Sequence, residues 1–122
     1  MHVRRVLIVE DELFVALDLE LLIHKHAPTA RVVVCSSVAE AHTALAEPVE
    51  LALLDIDVID GKTFEIARSL KRKGIPFVFI SGSQREEVPP ELADIPFVPK
   101  PFAAPMIQTT LCEVLSTGSA AP

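Results

Sequence analysis

The sequence predicts an α/β domain with a doubly wound parallel sheet. Three observations point there. Five short apolar runs, at residues 3–9, 31–35, 51–54, 77–80 and 95–98, recur along 122 residues. Each is apolar on both faces, as a strand covered by helices on two sides must be. Helical patterns fill three of the four gaps and follow the last run, and strands alternating with helices give a parallel sheet.

The first helix is expected over residues 12–26, with Phe14, Leu17 and Leu21 on one stripe and Val15, Leu19 and Leu22 on the next. So wide an apolar surface serves either as core alone or as core with area left for a dimer. The second helix opens at Ser37, with Glu40 three residues on as a capping box, and Pro48 stops it. The third spans 62–73, where Thr63, Ile66, Ala67 and Leu70 repeat at helical spacing and Gly74 provides the stop. The last spans 104–115, with Pro105 tolerated in its first turn. The remaining connection, 83–94, contains Pro89-Pro90 and is expected to hold at most a short turn of helix near 90–93. It is therefore the least regular segment, expected to be mobile and to carry partner contacts. Residues 116–122 are expected to fray, and the whole chain, 1–122, reads as one domain.

Composition narrows the function. Half of the residues are apolar and 23% are charged, which excludes a disordered chain. A net charge of −6 argues against nucleic acid as the main ligand. Lys71-Arg72-Lys73, the dense basic run, reads as a helix C-terminus facing water. Cys35 and Cys112 fit neither a zinc spacing nor a redox pair and read as buried small hydrophobes. With no leader-like segment and no run long enough for a bilayer, a cytoplasmic chain with no membrane partner is expected.

At this length the flavodoxin-like strand order 2-1-3-4-5 fits best, and its ligand crevice lies beyond the carboxyl ends of strands 1 and 3. Glu10-Asp11 closes the first apolar run and Asp55 the third. Clustered carboxylates repel unless a cation joins them, and Mg²⁺ takes such oxygen ligands. Ser81 follows the fourth run, and Lys100, between Pro99 and Pro101, follows the fifth. Alone, each has a plain reading: Asp11 as a helix cap, Asp55 and Ser81 as turn residues, Lys100 as a solvated lysine. Together they suit phosphoryl chemistry on a carboxylate.

Val6-Leu7-Ile8-Val9-Glu10-Asp11-Glu12, Leu53-Leu54-Asp55, Phe79-Ile80-Ser81-Gly82 and Lys100-Pro101-Phe102 resemble the receiver domain of two-component response regulators, here of stand-alone type. The resemblance implies that Asp55 is the phosphoacceptor. Asp11 would bind Mg²⁺ directly, Glu10 through water, and Asp57 through its backbone carbonyl. Ser81 would be the switch hydroxyl, Phe97 the switch aromatic, and Lys100 the phosphoryl-binding lysine. Gly82 sits at the small-residue position and Pro101 at the position usually cis. The implied partners are a histidine kinase or a histidine phosphotransfer protein, and a downstream protein. Such a phosphoprotein of a two-component system or phosphorelay catalyses only its own phosphorylation and dephosphorylation.

Three departures stand out. Ile59 replaces the proline often found four residues after the phosphoacceptor, Asp57 adds a carboxylate beside the site, and the fourth helix is in doubt. The stretch from Ile75 to Gly82 resembles the PFxFATG-type motif of some alphaproteobacterial receivers, with Ile80-Ser81 departing from it. Two other functions compete. Asp55-Ile56-Asp57-Val58 fits the DxDx(T/V) signature of haloacid dehalogenase-type phosphatases, although that motif normally ends the first strand. A receiver-like module that binds partners without phosphorylation is the other. A nucleotide-binding module lacks its glycine-rich loop after strand 1.

Overall fold

The computed structural model describes residues 3–120, with side chains through Ser116. In chain order the main elements are β1 (Arg5–Val9), α1 (Leu13–His26), β2 (Arg31–Cys35), α2 (Val38–Ala44), β3 (Leu51–Leu54), α3 (Phe64–Arg72), β4 (Phe77–Ser81), β5 (Phe97–Pro99) and α4 (Ala104–Ala120). The five strands are all parallel and stand in the order β2-β1-β3-β4-β5, as expected for the flavodoxin-like arrangement.

Side chains alternate across a strand, so each strand feeds two cores. Val6, Ile8, Leu51, Leu53, Val78 and Ile80 pack under α1 and α4, through Leu19, Ile23, Ile107 and Leu111. Leu7, Val9, Ala52, Leu54, Phe77 and Phe79 pack under α2 and α3, through Ala41, Ile66, Ala67 and Leu70. The two stripes of α1 part between core and solvent. Ala16, Leu19, Leu22 and Ile23 face the core, while Leu13, Phe14, Leu17 and Leu21 face solvent.

Several boundaries differ from the sequence reading. Lys62 is not helical. With Gly61 it forms the return strand of a two-residue hairpin against Asp57–Val58, and Gly61 supplies the positive φ of 137°. Ile59, at the tip of that hairpin, is exposed. Ser37 does cap α2, accepting from the Glu40 amide at 3.0 Å, but Glu40 reaches past it to the Ser36 amide at 2.6 Å. A second cap comes from the hairpin: Asp60 accepts from the Val38 and Ala39 amides at 2.6 and 3.1 Å. Cys35 is buried, which pushes its thiol up, whereas Cys112 is exposed on the outer face of α4, contrary to expectation. A cysteine's burial on a helix depends on which face packs, and the stripe through Ile107, Leu111 and Val114 turns Cys112 away.

Helix α4 extends past the expected end at 115 to Ala120, and no proline interrupts it before Pro122. Residues 121–122 lie outside the described residues. Between β4 and β5 there is no α-helix. Two short 3₁₀ turns, Arg85–Glu87 and Pro90–Leu92, stand in its place, in line with the adjacent prolines. No helix among the described residues is long and apolar enough to cross a membrane.

Candidate functional site: a carboxylate cluster at the sheet edge

Parallel strands deliver their carboxyl ends to one edge, and the site assembles there. Val9 pairs with Leu54 in register, so Glu10 and Asp55 leave adjacent strands side by side. Asp55 is held through both backbone and side chain. Its amide donates to the Val9 carbonyl at 2.9 Å, and its carbonyl accepts from the Thr63 hydroxyl at 2.5 Å. Thr63 is wholly buried at the start of α3. Helical spacing in the sequence places it with Ile66, Ala67 and Leu70 on one stripe. A threonine at the entry to a helix was the available signal, but its acceptor lies across a hairpin that the sequence did not reveal.

The two oxygens of the Asp55 carboxylate have different partners. Oδ1 accepts from the Ile56 amide at 2.7 Å and from the Ser81 hydroxyl at 2.7 Å. Oδ2 accepts from Lys100 Nζ at 3.0 Å. Ser81 Oγ in turn accepts from the Ser83 amide at 3.1 Å. Lys100 also lies 2.8 Å from Glu10 Oε1 and 3.7 Å from Glu12 Oε2. Lys100 reaches the cluster from the far strand β5, just before a cis peptide bond to Pro101.

Electrostatics follow from burial. Glu10 is only 2% exposed, and burial pushes its carboxyl up to about 7, with the Asp55 charge adding to the rise and Lys100 and the Glu12 amide opposing it. Burial alone pulls the Lys100 ammonium down, but its close contacts with the Glu10 and Asp55 carboxylates outweigh that and hold it above its ordinary value. Glu10 Oε1 has the Lys100 ion pair but no well-directed hydrogen bond, so it is a buried oxygen with capacity left.

Glu10, Asp11 and Asp55 each bring one carboxylate oxygen within 4.8 Å of the others. With all three ionised, Lys100 balances one charge and two remain. Hard oxygen donors, a residual double charge and a buried carboxylate oxygen with capacity left beside its Lys100 ion pair fit a divalent cation such as Mg²⁺.

Two residues of the expected set stand apart from the cluster. Asp57 is exposed on the hairpin. Its Oδ1 pairs with Lys62 at 2.5 Å and its Oδ2 accepts from the Ser83 hydroxyl at 2.6 Å, contacts that hold its carboxyl below the usual range. Phe97 is half-buried on β5 and packs into the core beneath α2 and α3. Lys62 and Ser83, which sequence reasoning passed over, thus form the rim of the site with Asp57.

No protein-family model matches the chain, and no curated protein does. Solved structures match throughout. The receiver domain of HemR from Leptospira biflexa is 27% identical, covering 93% of this chain and 94% of that one, with a TM-score of 0.76. SdrG from Sphingomonas melonis is 29% identical, covering 94% and 99%, with a TM-score of 0.79. The receiver domain of the PhyR response regulator from Erythrobacter litoralis is 24% identical, covering 93% and 90%, with a TM-score of 0.80.

The chain has the fold of a response regulator receiver domain. The receiver fold places the carboxylate cluster, Ser81 and Lys100 at the end of the sheet where a doubly wound fold binds its ligands.

Proposed function

We propose that this chain is a phosphoacceptor receiver, taking a phosphoryl group onto Asp55 from the phosphohistidine of a kinase or phosphotransfer protein. The observation that carries this reading is the placement of the Asp55 carboxylate between the Ser81 hydroxyl and the Lys100 ammonium, beside Glu10 and Asp11.

An Asp55 oxygen attacks phosphorus, the phosphorus–nitrogen bond of the donor breaks, and its electron pair stays on the imidazole. The product is an acyl phosphate. Lys100, already 3.0 Å from Oδ2, pairs with the arriving phosphoryl oxygens. Ser81 turns its hydroxyl from the carboxylate to one of them, and Phe97 follows as the switch aromatic. Glu10, Asp11, Asp55 and the Asp57 carbonyl would hold Mg²⁺, which when bound supplies positive charge against the phosphoryl oxygens. In this reading the chain turns over no metabolite, catalyses only its own phosphorylation and dephosphorylation, and works in the cytoplasm within a two-component system or phosphorelay.

The donor protein docks on α1. Leu13, Phe14 and Leu21 are 67%, 80% and 68% exposed, a run of bare apolar side chains that begins two residues after Asp11. Continuity with the site edge is what assigns this surface to the phosphodonor. A dehalogenase-type role for Asp57 as acid/base finds no support, since both of its oxygens are engaged by Lys62 and Ser83.

Mass spectrometry after incubation with Mg²⁺ and acetyl phosphate tests the reading. One phosphoryl mass is expected on the wild type and none on folded Asp55→Asn. Full labelling of that variant would move the nucleophile elsewhere. An unlabelled wild type would favour the module that binds without phosphorylation.

A further inference from the structure

Residues 83–94 are fastened in an unusual way. The two 3₁₀ turns bond within themselves: Val88 to Arg85, Leu92 to Pro89 and Ala93 to Pro90, at 3.1, 2.9 and 3.2 Å. Pro89 and Pro90 have no amide to donate. Leu92 is the one fully buried apolar anchor, with Val88 half-buried beside it. Beneath lies a crevice of about 50 Å³, lined by Arg85, Val88, Leu92, Ala93, Ile95 and Phe97.

Charges supply the rest. Lys62 Nζ meets Glu87 Oε1 at 3.3 Å, Arg68 Nε meets Glu91 Oε1 at 2.8 Å, and Lys71 Nζ meets Asp94 Oδ1 at 3.0 Å. Lys71 also donates to the Glu91 carbonyl. Three cations of the hairpin and α3 thus run in step with three acids of the segment. The topmost cation, Lys62, is shared: it also holds Asp57 at 2.5 Å, and Asp57 is bridged to Ser83. The exposed Asp57–Ser83 bridge stands two residues along the chain beyond the buried Asp55–Ser81 bridge on both sides, past the ends of β3 and β4, so it forms the outer rim of the same site.

We propose that residues 83–94 are an electrostatic strap, closed over the Phe97 crevice by this ladder of ion pairs and tied through Lys62 to the charge of the carboxylate site. Exposed pairs are individually weak and yield to salt, so a strap built from them opens more readily than a helix packed by a full apolar face. The link to the site rests on the phosphoacceptor reading. A phosphoryl group at Asp55 adds negative charge inside the rim and draws the Lys62 ammonium off Glu87, the longer of its two contacts. The upper rung then opens and uncovers Val88 and the Phe97 side of the crevice.

Hydrogen exchange of the full chain tests both statements. Raising salt from about 0.1 M to about 1 M, where screening shortens to about 3 Å, should speed exchange at 84–94 several-fold while β1 and β3 stay unchanged. The triple variant Lys62→Met, Arg68→Met, Lys71→Met should exchange equally fast already at low salt. If neither salt nor the charge removal changes exchange, and only Leu92→Ala opens the segment, apolar packing closes it and the strap is overturned. BeF₃⁻ with Mg²⁺ should speed exchange at 84–88 in the wild type and add nothing in Lys62→Met. Binding of BeF₃⁻ without that acceleration overturns the link and leaves the strap. A wild type that does not bind BeF₃⁻ overturns the phosphoacceptor reading, while the salt response still decides the strap.

Discussion

Ser81 Oγ lies 2.7 Å from Asp55 Oδ1 and bridges the ends of β3 and β4, while the same oxygen accepts the Ser83 amide at 3.1 Å. One hydroxyl therefore ties the carboxylate to the first turn of the irregular segment. Ser81→Ala is expected to cost about 1.5–3 kcal/mol of stability, the worth of a hydrogen bond to a charged group. It should also confine BeF₃⁻-induced spectral changes to the loop after Asp55. Changes still reaching β5 in that variant would show that the hydroxyl carries no signal.

Lys100 is the lone ammonium against two buried carboxylates, Glu10 and Asp55. Removing one partner of a buried ion pair leaves an uncompensated charge, so Lys100→Met should lose about 3 kcal/mol at pH 8. The loss should shrink near pH 5, where Glu10 takes up a proton. Denaturant unfolding at the two pH values measures this, and an equal loss at both would remove Glu10 from the pair.

Glu10 also makes metal-free stability depend on pH. Its carboxyl is raised from an ordinary 4.5 to about 7 in the folded protein, chiefly by burial. Between those values the folded state binds the extra proton. Its contribution is thus fully present below about pH 4.5 and lost as pH rises to about 7, at most about 3 kcal/mol in all. Glu10→Gln should flatten this part of the profile. Thermal melts in chelator from pH 5 to 8 compare the two, and parallel curves would refute the shift.

On the phosphoacceptor reading the folded cluster would hold Mg²⁺ and the unfolded chain would not, so Mg²⁺ should raise the melting temperature by mass action. Asp11→Asn should remove most of that rise without harming the metal-free fold, since Asp11 is exposed. An unchanged Mg²⁺ titration would exclude Asp11 as a ligand.

Phe14→Ser and Leu17→Ser should slow phosphoryl transfer from a protein donor at least tenfold, the loss expected when central apolar contacts of an interface are truncated. Labelling by acetyl phosphate needs no docking surface and should stay as it is. Transfer kinetics with a phosphorylated kinase or phosphotransfer protein decide the matter, and equal slowing with both donors would mean that the site itself had been damaged.

What the sequence determined by itself is what repeats locally or sits at the end of a strand. Apolar runs of strand length separated by helical periods lead to the parallel sheet, and a parallel sheet brings Glu10, Asp11, Asp55, Ser81 and Lys100 to one edge however the loops run. The adjacent prolines at 89 and 90 were enough to rule out a regular fourth helix. The tertiary structure alone decided which of two apolar stripes on α1 enters the core, because both have helical spacing and only packing against β1 and β2 distinguishes them. It also decided the pairings of Lys62 with Asp57 and Glu87, of Arg68 with Glu91 and of Lys71 with Asp94. Most of these partners are twenty or more residues apart, on elements whose distance and rotation no local pattern encodes. A charged residue reads the same in a sequence whether it faces water or a partner. The difference lies in where the rest of the chain has placed the opposite charge.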